Sequence, residues 1–369
     1  MKKSLIALAA LGAFSTIAAA QSSVTLYGRI DENLTYQDPG KNASASSGGK
    51  LGKGATKLND GGVSGMGGSR WGMRGSEDLG DGLRAYFVLE SAISADTGAG
   101  GGSTVSGSSF FNRQAYIALG SKTLGDIRLG RLESITRELD VRIFDASAEG
   151  EMNIVESVAT NRPLFQNFGT RIDNAISYRS PNIGGFQGIA TLGLSEDLKS
   201  NSSAVPPVTS KAAEYRGLGL VFGQGPLNAA ASYEEYSGGV VSGSYNKVFT
   251  LGANYDLGMA TVYAAYQNTS DLGPQLAATT FSKGTDHDAY NIGVKVPYGN
   301  WTFKGQFTAS SVDRTSGLSD LDQEKYGLSA VYALSKRTNV YAAVTARSGD
   351  VSSSFARKNE YVLGLGHNF

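Results

Sequence analysis

YVLGLGHNF (residues 361–369) ends the chain, and its alternation decides how the rest is read. Tyr361, Leu363, Leu365, His367 and Phe369 fall on one side of a two-residue period, with Val362, Gly364, Gly366 and Asn368 on the other. The pattern predicts a strand that runs to the last residue, Phe369, with no polar tail after it. Such a strand is needed to its end either to close a sheet or to be recognised by whatever builds one.

The same alternation recurs upstream in segments of about ten residues. WTFKGQFTAS (301–310), FQGIATLGL (186–194) and KVFTLGANYDL (247–257) each set an apolar row against a row holding Thr, Gln, Asn, Lys or Gly. The connectors alternate as well. Seven short ones (79–82, 121–126, 181–185, 223–226, 256–259, 297–300 and 334–337) carry the Gly, Pro, Asn and Asp of tight turns. Eight longer polar ones lie between them (about 36–68, 94–108, 133–170, 197–211, 237–244, 270–285, 313–321 and 349–357). Seven turns and eight loops separate sixteen strands.

Sixteen strands with short turns at one end, long loops at the other and both chain termini on the short side predict an all-β, antiparallel transmembrane barrel. An open sheet of that size would leave two edges prone to aggregation. Closure requires the strand near 23–35 to pair with the one at 358–369. Tyr178, Phe222, Tyr255, Trp301, Tyr332, Tyr361 and Phe369 are then expected in the aromatic girdles at the two membrane surfaces.

The first residues agree with an exported protein. MKKSLIALAALGAFSTIAAAQ has a basic tip, a short apolar stretch and small residues before Gln21, so residues 1–20 read as a signal peptide and 21–369 as the barrel domain. The apolar stretch is short of the roughly 20 residues a membrane helix needs. The whole chain has 33 basic and 33 acidic residues; without Lys2 and Lys3 the balance is 31 to 33, which excludes a nucleic-acid binder by charge. With no cysteine there are neither disulfides nor thiolate metal sites. The two histidines, His287 and His367, have no neighbours that would make a catalytic or metal-binding group, so no enzyme activity, metal or cofactor is expected. GGVSGMGG (61–68) lacks the lysine and helix of a phosphate-binding loop.

Alternation also sorts charges to the inner face. In VTLYGRIDENL (24–34) it points Arg29, Asp31 and Asn33 inward; in SRWGMRGSED (69–78), Arg70 and Arg74; in LRAYFVLE (83–90), Arg84, Tyr86 and Glu90. In TRIDNAISYRS (170–180), with Ile172, Ile176 and Tyr178 outward, it points Arg171, Asp173 and Arg179 inward. The connector 133–170 is acidic, with Glu133, Glu138, Asp140, Asp145, Glu149, Glu151 and Glu156 against Arg137, Arg142 and Arg162. Its apolar residues, and a short amphipathic helix in SITRELDVRIF (134–144), require a surface to pack on. The inner wall is available, and packing there narrows the bore.

LYGRIDENL, SRWGMRGSEDLGDGLRAYFVLES, NRQAYIALGSKTLGDIRLGR, ISYRSPNIGGF, LSKRTNVYAAV and YVLGLGHNF, in that order along the chain, resemble the general porins of Gram-negative bacteria, in particular the β-proteobacterial type. The resemblance implies a homotrimer in the outer membrane whose third loop, 133–170, folds into the pore. It also implies a terminal Phe369 read by the barrel-assembly machinery, and contact with lipid and lipopolysaccharide. By matching motifs it makes Arg29, Arg70, Arg74, Arg113 and Arg171 a basic wall facing acids of the third loop. Arg113 is in conflict, since alternation with Ala115, Ile117 and Leu119 sends it outward. Inward is favoured, because a lipid-facing arginine near the midplane costs roughly 2–4 kcal/mol. The loop departs from the family pattern after LGR, so Asp140 and Asp145 are the first choices for the acidic side, with Glu133 and Glu138 as rivals. The function implied is passive diffusion of small hydrophilic solutes and ions, with a mild preference for anions. A substrate-specific channel and a non-conducting surface adhesin are the alternatives.

Overall fold

The structure, a computed structural model, describes residues 23–38, 40, 54–61, 67–100, 110–147, 157–159, 162–163, 165, 171–194, 197–198, 210–211, 214–237, 245–272, 285–313, 320–350 and 358–369. The expected signal peptide, most of the first and sixth long connectors, and Glu149, Glu151 and Glu156 lie outside these residues. So do the middle of GGVSGMGG and the side chain of Arg162.

Sixteen antiparallel strands form one closed barrel. In chain order they are β1 (Ser23–Asp38), β2 (Arg70–Gly80), β3 (Leu83–Ser94), β4 (Gln114–Ser121), β5 (Gly125–Glu133), β6 (Arg171–Arg179), β7 (Phe186–Gly193) and β8 (Glu214–Gln224). They continue as β9 (Leu227–Ser237), β10 (Tyr245–Asp256), β11 (Thr261–Leu272), β12 (Thr285–Tyr298), β13 (Trp301–Asp313), β14 (Leu321–Ala333), β15 (Thr338–Gly349) and β16 (Asn359–Asn368). Each pairs with the next, and β16 pairs with β1 from Arg29↔Asn368 to Asp38↔Asn359. Phe369 extends that closure by exchanging both backbone hydrogen bonds with Gly28, at 3.0 and 3.1 Å. A short strand, Ala55–Asp60, carries the wall above β2 by pairing with the far half of β1.

Two environments per strand explain why these sequences become strands. Leu218 and Leu220 of β8 are exposed on the outer face at 62% and 51%, whereas Tyr215 on the opposite face is 3% exposed. The outward apolar rows suit lipid, and the pairing of β16 with β1 leaves the wall without an open edge, as a membrane requires. Aromatic residues gather in two bands. Near the short turns Phe186 meets Phe222 at 4.7 Å and Trp301 meets Tyr332 at 4.7 Å. Near the long loops Tyr36 meets Tyr361 at 6.1 Å and Tyr266 meets Tyr290 at 5.1 Å.

Strand β6 departs from simple alternation. Its register with β5 shifts between Ile172 and Ala175, and Asn174 adopts φ 51°, a left-handed conformation that asparagine tolerates better than most residues. The bulge reverses the sides of the two residues next to it. Ile172, expected outward, is buried with Leu132, Ala175 and Tyr215, while Asp173, expected inward, is 65% exposed and paired with Arg131.

Candidate functional site

The third long connector enters the barrel directly after β5. Ser134 caps a five-residue helix, α1 (Ile135–Leu139), by accepting a hydrogen bond from the Arg137 amide, and a π-turn over Asp140–Phe144 follows. Ile135, Leu139, Ile143, Phe144 and Phe165 bury their apolar side chains with Ile189, Ala230, Ala265 and Ala289 of the wall. Glycine makes room for this contact: a Cβ on Gly219 would lie 2.8 Å from Ile135 Cγ2, and one on Gly252 would lie 2.5 Å from Phe144 Cδ1.

Polar groups of the wall fix both ends of the segment. The Glu234 carboxylate accepts from the Ile135 amide (2.9 Å), the Thr136 amide (3.0 Å), the Thr136 hydroxyl and the Tyr215 hydroxyl. At the far end Asn254 donates to the Ile143 carbonyl (3.1 Å), Asn291 donates to the Phe144 carbonyl (2.8 Å), and Gln306 accepts from the Ala146 amide (3.1 Å). A segment held in this way projects into the bore and takes up part of its section.

The predicted arginines stand on β1–β6. Arg29 and Arg70 are direct cross-strand partners, and Arg74 faces Thr25 four residues further down. Arg113 reaches inward: its Nε donates to Glu90 Oε1 at 2.5 Å, and its backbone amide donates to the Glu90 carbonyl. The outward direction given by alternation fails because Arg113 occupies a bend one residue before β4 begins. Arg171 pairs with Glu133 at 2.9 Å and lies within electrostatic reach of Arg113 and Arg137. Arg29, Arg70, Arg113 and Arg171 thus gather at one level, with Arg74 below them.

The acids divide in a way the sequence did not foretell. Glu138 pairs with Arg179 of β6 through both carboxylate oxygens and accepts from Arg142 at 3.0 Å. Burial would raise its carboxyl, but the hydrogen bonds and charge of Arg179, with Arg128 and Arg142, outweigh it and hold the group at about 2. Asp140 and Asp145, the first choices for the acidic side, are 1% and 3% exposed, turned into the packed region behind the segment. Burial pushes both carboxyls up, Asp140 well above the carboxylate range. Neither oxygen of Asp140 has a hydrogen-bond partner, whereas Asp145 accepts from the Ser147 amide and hydroxyl. Of the expected wall, Arg171 meets Glu133 and Arg113 meets Glu90 of β3, whereas Glu138 meets Arg179 and Arg142.

Phe369 occupies the closing seam with its ring over Gly28. His367 lies on the outer face, with Nδ1 2.9 Å from the Thr338 hydroxyl, and His287 lies near the start of β12 at 1% exposure. No group of metal-ligating side chains occurs among the described residues.

The Gram-negative porin family model matches residues 7–351. The chain is 31% identical to an outer membrane porin protein of Bordetella pertussis over 100% of both chains. It is 33% identical to outer membrane porin protein 32 of Delftia acidovorans, over 92% of this chain and 88% of that one. Among solved structures, an anion-selective porin from Comamonas acidovorans matches with a TM-score of 0.71 at 25% identity, covering 95% of this chain and 100% of that one.

Proposed function

The chain belongs to the Gram-negative porin family, and from that premise we propose an outer-membrane diffusion channel whose inner wall favours anions. It is an outer-membrane porin, a passive path for small hydrophilic solutes and ions with no energy source and no covalent step. The preference for anions rests on one observation. Arg29, Arg70, Arg113 and Arg171 converge at one level of the bore, while Asp140 and Asp145 are turned into the packing behind the third loop. Two of the four acids expected to offset the arginines thus lie away from the water, and a low-dielectric wall focuses the remaining positive field on the lumen.

The third loop, anchored at Glu234 and Asn291, sets the width in this reading. The family relationship supports a homotrimer, and the outward apolar face of β1–β5, with Val24, Leu26, Ile117 and Leu129 all exposed, suits a second copy or lipid. Removal of residues 1–20 on export, recognition of Phe369 by the assembly machinery and contact with lipopolysaccharide complete the proposal.

The test is the reversal potential of the purified protein in a planar bilayer under a KCl gradient, with single-insertion conductance recorded together. Discrete steps with a potential favouring chloride are expected, and Arg29→Ala with Arg70→Ala should shift the permeability ratio toward potassium on the order of twofold. A potassium-favouring wild-type channel refutes the arginine wall as the selector; a folded protein without steps refutes the channel.

A further inference from the structure

Below the level of Arg29 and Arg70, the inner wall of β1–β5 changes character. Three further guanidiniums descend toward the short-turn end, and each lies over a tyrosine ring: Arg74 over Tyr27 at 5.2 Å, Arg128 over Tyr116 at 5.7 Å and Arg84 over Tyr86 at 4.8 Å. Cross-strand register orders them. Arg74, Val88 and Tyr116 share one level, Tyr86 and Arg128 the next, and Arg84 and Asp126 the last. Levels two residues apart are about 6.8 Å apart along a strand, so the three cations form a stair of short steps.

The planes are held. Arg128 Nε donates to the Tyr86 hydroxyl at 3.1 Å, and that hydroxyl donates to Asp126 at 3.0 Å. Arg84 is 3.5 Å from the same Asp126, yet its side chain keeps 56% of its surface exposed. Asp126 pairs with two of the three, Arg84 at 3.5 Å and Arg128 at 3.9 Å, so the stair retains positive charge. A guanidinium with a tyrosine behind it presents its other face and its donor edge to the lumen. Chloride takes the charge and an N–H of such a group but has no plane to lay on it. A planar carboxylate pairs with the edge, and an aromatic ring attached to it stacks on the plane.

We propose that this stair is a selective track for aromatic carboxylates, a substrate class within the anions that the channel passes. The inference rests on the channel reading above, and the experiment separates the two. Benzoate and cyclohexanecarboxylate carry the same charge and nearly the same bulk, but only benzoate is flat. Each is titrated against the chloride current of single insertions, and the ratio of half-blocking concentrations is read, a quantity in which conductance cancels. Benzoate is expected to block at about threefold lower concentration, equivalent to about 0.7 kcal/mol. Arg84→Lys with Arg128→Lys keeps the charge but removes two of the three planes, and should bring the ratio toward one. Equal block by the two acids in the wild-type protein overturns the track and leaves the channel standing, and needs no variant to fold. A ratio unchanged in the lysine variant overturns it too, while absence of any ion current overturns both readings.

Discussion

Replacing Glu234 by glutamine tests whether the third loop is held from the wall. The carboxylate of Glu234 has no hydrogen to give and about four acceptor sites. All are in use, by the amides of Ile135 and Thr136 and the hydroxyls of Thr136 and Tyr215. Glutamine offers one oxygen and sets an NH₂ against the remaining donors, so at least two bonds to an ionised acceptor are lost. At about 1.5–3 kcal/mol each, the gross loss is about 3–6 kcal/mol. Relaxation around the site reduces this, and a net figure of about 3 kcal/mol changes the seating equilibrium about a hundredfold. The barrel itself should survive, because its ladder is untouched and Leu139, Phe144 and Phe165 stay fully buried at the other end. The expected phenotype is local: normal heat-modifiable migration on gels, with larger fluctuations of the open-channel current in bilayers. A quiet Glu234→Gln channel of wild-type conductance would refute the anchoring. An unfolded variant would refute the separation of loop from barrel.

Three further outcomes follow from the same geometry. Glu138 is held at about 2 against an ordinary 4.5, so its stabilisation is complete above 4.5 and fades as the pH falls through about 2; conductance should therefore hold from pH 7 to pH 4, whereas Glu138→Gln at pH 7 should release Arg179 and raise current noise. Asp140 has the opposite sign, since its raised folded value means that its contribution declines as the pH rises from 3.8 upward; Asp140→Asn should raise the thermal dissociation temperature at pH 7 by the equivalent of about 1–3 kcal/mol, and a lowered temperature would refute an unpartnered buried charge. At the closing seam a Cβ on Gly28 would stand 2.6 Å from the Arg70 carbonyl oxygen and inside the Phe369 ring; Gly28→Val should cut the yield of heat-modifiable barrel in refolding assays, and an undiminished yield would show that the ring needs no notch there.

The barrel was legible in the sequence because each strand meets two solvents and the alternation records both. Where the backbone leaves that period, the reading loses phase. The Asp173–Asn174 pair shows this, since the left-handed Asn174 inserts one residue and sends Ile172 inward. An Asp-Asn pair inside a strand is a signal that could have been used. Arg113 shows a second route, because alternation has no authority at a bend one residue outside β4. Glu234 was beyond reach for another reason. Its inward phase follows from Ala230 and Ser232, but its partner Thr136 lies 98 residues away, and no local pattern links a wall carboxylate to the loop that it holds.

The acids of the third loop carry the same lesson into function. Helical spacing puts Glu138 and Arg142 on one face, where the pair at 3.0 Å is found, but it gives that face no direction. Direction comes from the apolar residues Ile135, Leu139, Ile143 and Phe144, which must meet the wall, and from the π-turn that begins at Asp140. The regular turn that the Asp140 amide closes on the Thr136 carbonyl carries Asp140 onto the packed side with Leu139 and leaves Glu138 toward Arg179 and Arg142, and the π-turn after it, closed by the Asp145 amide on the Asp140 carbonyl, sets the side taken by Asp145. The side that Asp145 takes thus depends on backbone winding over five residues. Restoring regular α-helical winding there by deleting one residue from Asp140–Phe144 should swing an acid toward the lumen and move the reversal potential toward potassium, and a potential still favouring chloride would show that the winding does not set the balance.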